Sequence, residues 1–122
     1  MHAPDFIDDL APNQVFVYGS NLAGIHGAGA AKQALRWGAK MGRDGLSGQT
    51  YGISTKDHQI KTLPLDQIRS HVREFLYEAE ERPHLEFLVT KVGCGLAGYS
   101  ERQIIPFFGG APVNVRLPEG WT

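Results

Sequence analysis

The stretch Val15-Phe16-Val17-Tyr18-Gly19-Ser20-Asn21-Leu22-Ala23-Gly24-Ile25-His26-Gly27-Ala28-Gly29-Ala30-Ala31 decides how this chain folds. Its first four residues are apolar, β-branched or aromatic, the pattern of a buried strand, and the run stops at Gly19. From Gly27 to Trp37 the chain is rich in alanine, and Ala30, Ala31, Ala34 and Leu35 recur at helical spacing, so a helix is expected just after the glycines. Strand, tight loop and helix follow in that order. Glycines let the backbone come close to a ligand, and a helix start offers unpaired N–H groups to an anion, with phosphate the natural guest. A P-loop is excluded, because Ala31 precedes Lys32 and no GK[ST] ending is present. The dinucleotide fingerprint is half met: Gly27 and Gly29 fit, but Lys32 holds the place of the third glycine. Taken alone, the loop reads equally as one that merely turns the chain.

Working outward, the same order returns. Residues 38–50 carry Gly38, Gly42, Gly45 and Gly48 without an apolar period and read as a mobile surface loop. Thr50 to Ile53 reads as a short strand that ends at Ser54-Thr55-Lys56-Asp57. Leu65, Ile68, Val72, Phe75, Leu76 and Ala79 form an apolar stripe, with Arg69, Arg73, Glu74, Glu78 and Glu81 outside it, which predicts a helix after Pro64. Phe87 to Val92 reads as a second buried strand, running into Gly93-Cys94-Gly95-Leu96-Ala97-Gly98. Ser100 and Gln103 have the spacing of a capping box before a short helix through Phe107 and Phe108, and Val113 to Leu117 reads as a last strand. Alternating strands and helices predict an α/β sheet covered on both faces, with ligands at the carboxyl ends of the strands. Two glycine loops at such ends can lie side by side and clamp one pyrophosphate.

The totals set the bounds. A chain of 122 residues, 42% hydrophobic and 20% charged, fits one globular domain over residues 1–122. A formal charge of −1 provides no general attraction to polyanions. The single cysteine, Cys94, excludes an internal disulfide and a cysteine-based structural zinc site. His58, His71 and His84 are scattered, with His71 expected on the exposed side of its helix, and no histidine pair has metal-ligand spacing, so no metal is expected. The acidic start and the lack of a long apolar segment lead to the expectation of a cytoplasmic protein without a membrane contact.

At the two glycine loops the chain resembles the macro-domain family, in particular its branch of terminal ADP-ribose glycohydrolases and related DNA-damage and toxin–antitoxin readers. Val89 to Gly98 is similar to that branch's strand followed by a GCGL loop, which contacts the phosphates and the distal ribose. Gly27-Ala28-Gly29-Ala30-Ala31 resembles the GAG-type turn at the start of the family's helix, and Asn21 corresponds to a ribose-side polar residue. Ile53-Ser54-Thr55-Lys56 is similar to the strand end that supplies the branch's catalytic lysine, which maps to Lys56. The resemblance implies a three-layer α/β/α macro-domain-like fold with a mixed central sheet. It implies a ligand site made of Gly19, Ser20, Asn21, Leu22, Gly24, His26, Gly27, Ala28, Gly29 and Ala30 from the first loop, with Gly93, Cys94, Gly95, Leu96, Ala97, Gly98 and Tyr99 from the second. No cofactor is implied beyond the ligand. One departure matters: the acid that assists the lysine directly after GCGL is replaced by Ala97, and a lost proton-transfer partner is typically worth about 10²–10⁴-fold in rate. Asp57, beside Lys56, or Asp44, in the long loop, is the carboxylate that would substitute for it.

Three functions follow from this reading. The chain binds ADP-ribose or a nucleotide derived from it, as a reader or sequestering protein. Alternatively it is a hydrolase that uses Lys56 to remove ADP-ribose from a protein, nucleic-acid or small-molecule adduct, so that a nucleic acid is a partner only when it carries ADP-ribose. The third reading is a protein-interaction module with a degenerate nucleotide site. Single residues carry double meanings: Cys94 reads as a small buried hydrophobe or a nucleophile, and His26 as a phosphate contact or a surface histidine in a turn. Tyr18 reads as core, Tyr99 as a ring that stacks on the ligand or packs, and Trp37, Phe107, Phe108 and Trp121 as packing residues.

Overall fold

Side chains of β1, Gln14–Asn21, alternate between two faces, and each face meets different helices. Val15 and Val17 join the larger core, with Ile68, Val72 and Phe75 of α2, Leu65–Glu80. Phe16 and Tyr18 join a smaller one, with Ala31 and Ala34 of α1, Gly29–Ala34. The period of two in a strand thereby determines which helix covers which side. The computed structural model describes residues 2–4, 7–23, 29–39, 45–95 and 97–121.

Among the described residues the sheet has five strands in the order β2 (Gly45–Ser47), β3 (Thr50–Lys56), β1, β4 (Glu86–Val89) and β5 (Val115–Arg116). β1 runs parallel to both β3 and β4, β4 is parallel to β5, and only β2 is antiparallel to its neighbour β3. This is a mixed sheet in a three-layer α/β/α arrangement, with α1 on one face and α2 and α3, Glu101–Ile104, on the other.

α2 presents the expected stripe. Ile68, Val72, Phe75, Leu76 and Ala79 are buried, and full burial of side chains such as Ile68 or Phe75 is worth about 1.5–3 kcal/mol each. Phe75 sits at the centre of the larger core, its ring centroid 5.0 Å from that of Tyr51 and 5.5 Å from that of Phe87. The capping box at α3 forms: the Ser100 N–H donates to Gln103 Oε1 at 2.9 Å. Trp37 packs on Phe16, and Phe108 and Trp121 are buried, as packing residues.

Several boundaries differ from expectation. The segment read as a loop over 38–50 contains the edge strand β2, formed because Leu46 and Ser47 pair with Tyr51 and Thr50. β3 continues past Ile53 to Lys56 along β1. β4 stops at Val89 instead of Val92, because Thr90 gives both its N–H and its hydroxyl to the Val17 carbonyl and Val92 N–H then closes back on Thr90 O at 2.7 Å. The helix expected just after the glycines is, among the described residues, six residues of α1 followed by a 3₁₀ turn at Leu35–Trp37. The last strand shrinks to Val115–Arg116, with Val113 exposed. His71 is half-buried rather than exposed, beside Ile53 and Ser54 in a hollow of about 190 Å³. Among the described residues no helix is long and apolar enough to cross a membrane.

Candidate functional site

The strand order places a crevice between β1 and β4. From β1 the chain reaches β3 on one side through α1; from β3 it crosses to β4 on the other side through α2, on the opposite face. Connections that diverge in this way leave room at the carboxyl ends of the two central strands, where ligands of open α/β sheets bind. A cavity of about 700 Å³ occupies that place.

Two strand ends and the turn after a third strand form most of its walls. β1 contributes Gly19, Ser20 and Asn21, β3 contributes Thr55 and Lys56, and the segment after β4 contributes Thr90 to Gly95 with Ala97. Ala30 and Ala31 of α1 and Glu101 of α3 complete the described lining together with Ile60. Asn21 and Lys56 are register partners across the β1–β3 pair, so the pairing itself brings the predicted lysine beside the predicted ribose-side amide.

The turn after β4 is fixed from two directions. Gly93 has φ +81°, and a Cβ placed there would stand 3.0 Å from Ile104 Cδ1, so its glycine is demanded by conformation and by packing. Tyr99 donates its hydroxyl to Leu63 O at 2.7 Å, and Thr62 donates its own to Ala97 O at 3.0 Å. Both bonds tie the turn to the segment that leaves β3. That segment is a small hairpin: Asp57 N–H donates to Lys61 O, and Lys56 bridges Thr62. At its tip Ile60 adopts φ +63°, and its side chain reaches the cavity.

Charge in the lining comes from Lys56, Lys91 and Glu101. Trp121 Nε1 donates to Glu101 Oε1 at 2.7 Å, and this bond, with Lys91 Nζ at 3.5 Å from Oε2, holds the Glu101 carboxyl below the usual glutamate range. The Lys91–Glu101 pair is half-exposed and contributes little to stability by itself. Burial pushes the Cys94 thiol up, reinforced by the charge of Glu101, which favours the thiol over the thiolate, and Sγ stands 3.6 Å from Val92 O.

Of the residues expected at the site, Gly19, Ser20, Asn21, Ala30, Lys56, Gly93, Cys94, Gly95 and Ala97 line this one cavity. Gly29 is described as the first residue of α1 and is not part of the described lining. Leu22 is 37% exposed beside the cavity rather than in it, and Gly98 and Tyr99 also stand outside the described lining. Tyr99 is turned away because its ring packs against the larger core and its hydroxyl is engaged by Leu63. Gly24, His26, Gly27, Ala28 and Leu96, and with them Asp44, lie outside the described residues. Tyr18 is core, as its strand position predicted.

Asp57 Oδ1 accepts the amides of Gln59 and Lys61, which hold its carboxyl low, and Asp57 is not in the described lining. Among the described residues the carboxylate on the cavity wall is Glu101, four positions beyond Ala97. Its only sequence signal was its place directly after the capping serine, which marks a helix start and not a site. Lys91 and Thr90 were likewise read as strand residues. Among the described residues no group of three or more His, Cys, Asp or Glu side chains gathers to hold a metal ion.

The chain matches no protein-family model and no curated protein. Among solved structures it is similar to a protein of unknown function from Bacteroides thetaiotaomicron, with a TM-score of 0.57 and 14% sequence identity over 86% of this chain and 87% of that one. A likeness at that level of identity shows a shared fold.

Proposed function

We propose that this chain binds ADP-ribose, or a nucleotide derived from it, in the cavity between β1 and β4, and acts as a reader or sequestering protein of the macro-domain type. The observation that carries the reading is that the described parts of two separate glycine loops, Gly19, Ser20, Asn21, Ala30 and Ala31 of the first and Gly93, Cys94, Gly95 and Ala97 of the second, line one cavity at the sheet's switch point. Its volume of about 700 Å³ falls within the ~300–1,000 Å³ that small-molecule sites occupy. Lys56 and Lys91 supply positive charge for a diphosphate. Isothermal titration calorimetry with ADP-ribose tests it: saturable one-to-one binding is expected, and no measurable heat at millimolar ligand removes the proposal.

A hydrolytic version has one observation in its favour, that Lys56 and Glu101 line the same cavity. In that version the glycosidic bond to the carrier breaks, water supplies OH to the anomeric carbon, and its remaining proton goes to the leaving group. Release of ADP-ribose from a modified protein or nucleic acid, followed by chromatography, is the assay. Lys56→Ala abolishes turnover if the lysine takes part, and undiminished turnover in that variant rejects its role.

A further inference from the structure

We propose that Ser20 is a hydrogen-bond donor completed by the ligand, giving its hydroxyl to a phosphate oxygen of the bound nucleotide. The assignment rests on the nucleotide reading of the cavity and names the group that would read the phosphate.

Ser20 is 3% exposed, and its Oγ is a buried side-chain oxygen without a hydrogen-bond partner among the described residues. Neighbouring hydroxyls in the same sheet are satisfied. Thr55 Oγ1 donates to the Ser20 carbonyl at 3.1 Å, Thr90 Oγ1 to Val17 O at 2.8 Å and Thr50 Oγ1 to Ser47 O at 2.6 Å. Buried polar groups are ordinarily paired, because desolvating one without a partner disfavours the fold. Ser20 departs from that rule on the wall of the cavity, where it stands with Asn21, Ala30 and Ala31.

The surroundings select an oxyanion. Two glycines of the lining are not required by the fold. A Cβ on Gly19 would meet Thr55 at 3.6 Å and Gly93 N at 3.7 Å, ordinary contacts, and a Cβ on Gly95 would meet nothing within 4 Å among the described residues. Neither has a positive φ, in contrast to Gly93. Their bare backbone lets a group from outside approach the strand end and the turn, the use that phosphate sites make of glycine. Lys56 and Lys91 add charge of the matching sign, and the carboxylate of Glu101 is already occupied by Trp121 and Lys91.

Calorimetry and thermal melting of wild type, Ser20→Ala and Ser20→Cys decide the matter, with ADP-ribose and ADP as probes. Expected is an affinity roughly five- to twentyfold weaker for both ligands in both variants. Without ligand, Ser20→Ala melts at the same or a higher temperature, since it removes an unpaired buried hydroxyl. Unchanged affinity in Ser20→Ala overturns the assignment while leaving the nucleotide reading intact. So does a lower melting point of the free variant, which would mean that the hydroxyl has its partner inside the fold. A loss confined to ADP-ribose, with ADP unaffected, also overturns it, because the hydroxyl would then read the sugar. If wild type binds neither ligand at millimolar concentration, the nucleotide reading itself fails and takes this assignment with it.

Discussion

Thr62 Oγ1 donates to the carbonyl oxygen of Ala97 at 3.0 Å, joining the hairpin that leaves β3 to the turn that leaves β4. Two walls of one cavity are thereby held at a set separation by a bond between surface segments 35 positions apart in the chain. Tyr99 to Leu63 repeats the tie one step deeper.

Thr62→Val keeps the shape of the side chain and removes the donor. An exposed hydrogen bond of this kind contributes about 0.5–1.5 kcal/mol net, so urea unfolding should show a small loss. Affinity for ADP-ribose should fall severalfold as the walls loosen. A stability loss with unaltered affinity would separate the tie from the site.

Ile60 occupies a position that hairpins of this type normally give to glycine, after a turn closed by Ile60 N–H on Asp57 O. Its φ of +63° costs a β-branched residue about 1–2 kcal/mol, yet its side chain, 39% exposed, lies on the cavity wall. Ile60→Gly should relieve that strain and raise stability by about 1 kcal/mol, offset in part by the greater freedom of glycine in the unfolded chain. It should also weaken ligand binding by removing an apolar contact. A variant that is no more stable than wild type would show that the left-handed conformation is not strained.

Gly93 and Gly95 should respond in opposite ways to alanine. At Gly93 the φ of +81° and the 3.0 Å approach to Ile104 predict a loss of about 1–3 kcal/mol in chemical denaturation. At Gly95, where a Cβ meets open space, stability should change little while ADP-ribose affinity drops. Equal destabilisation by the two substitutions would contradict the division between a glycine needed by the fold and one left bare for a ligand.

Three carboxyls are held below the ordinary range, Asp57 chiefly by the Lys61 amide and then that of Gln59, Glu86 chiefly by the Gln14 amide and then Arg116, and Glu101 chiefly by the Trp121 indole. A folded-state pKa below the unfolded one contributes stability that is present above the ordinary carboxylate value and is lost as pH falls through the lowered folded values. Acid unfolding should therefore steepen below the ordinary carboxylate range. Following the side-chain carboxyl by NMR, Trp121→Phe should raise the Glu101 midpoint toward that of a free glutamate and leave Glu86 in place. An unmoved Glu101 midpoint would remove the indole as the cause.

Much of the scaffold was legible in the chain. The stripe from Ile68 to Ala79 and the run Val15 to Tyr18 carry their own periodicity, and local period together with burial is enough to make α2 and β1. β2 was not legible, because Gly45-Leu46-Ser47 has no pattern of its own and becomes a strand only by pairing with Thr50 to Gly52. The site divides in the same way. Glycines at strand ends marked Gly19 and Gly93–Gly95, while Glu101 and Lys91 carried the signals of a helix start and a strand.

By itself the sequence determined that strands and helices alternate, that Val15 to Tyr18 is a buried strand, and that the stripe from Ile68 to Ala79 is the buried face of a helix. Only the tertiary structure decided that the ends of β1, β3 and the turn after β4 meet around one cavity, that Tyr99 faces the core, and that Ser20 is buried without a partner among the described residues. The reason is physical. Periodicity records energies between residues a few positions apart, whereas strand order and the direction of a side chain at a sheet edge are set by contacts between segments that the chain brings together only when it folds.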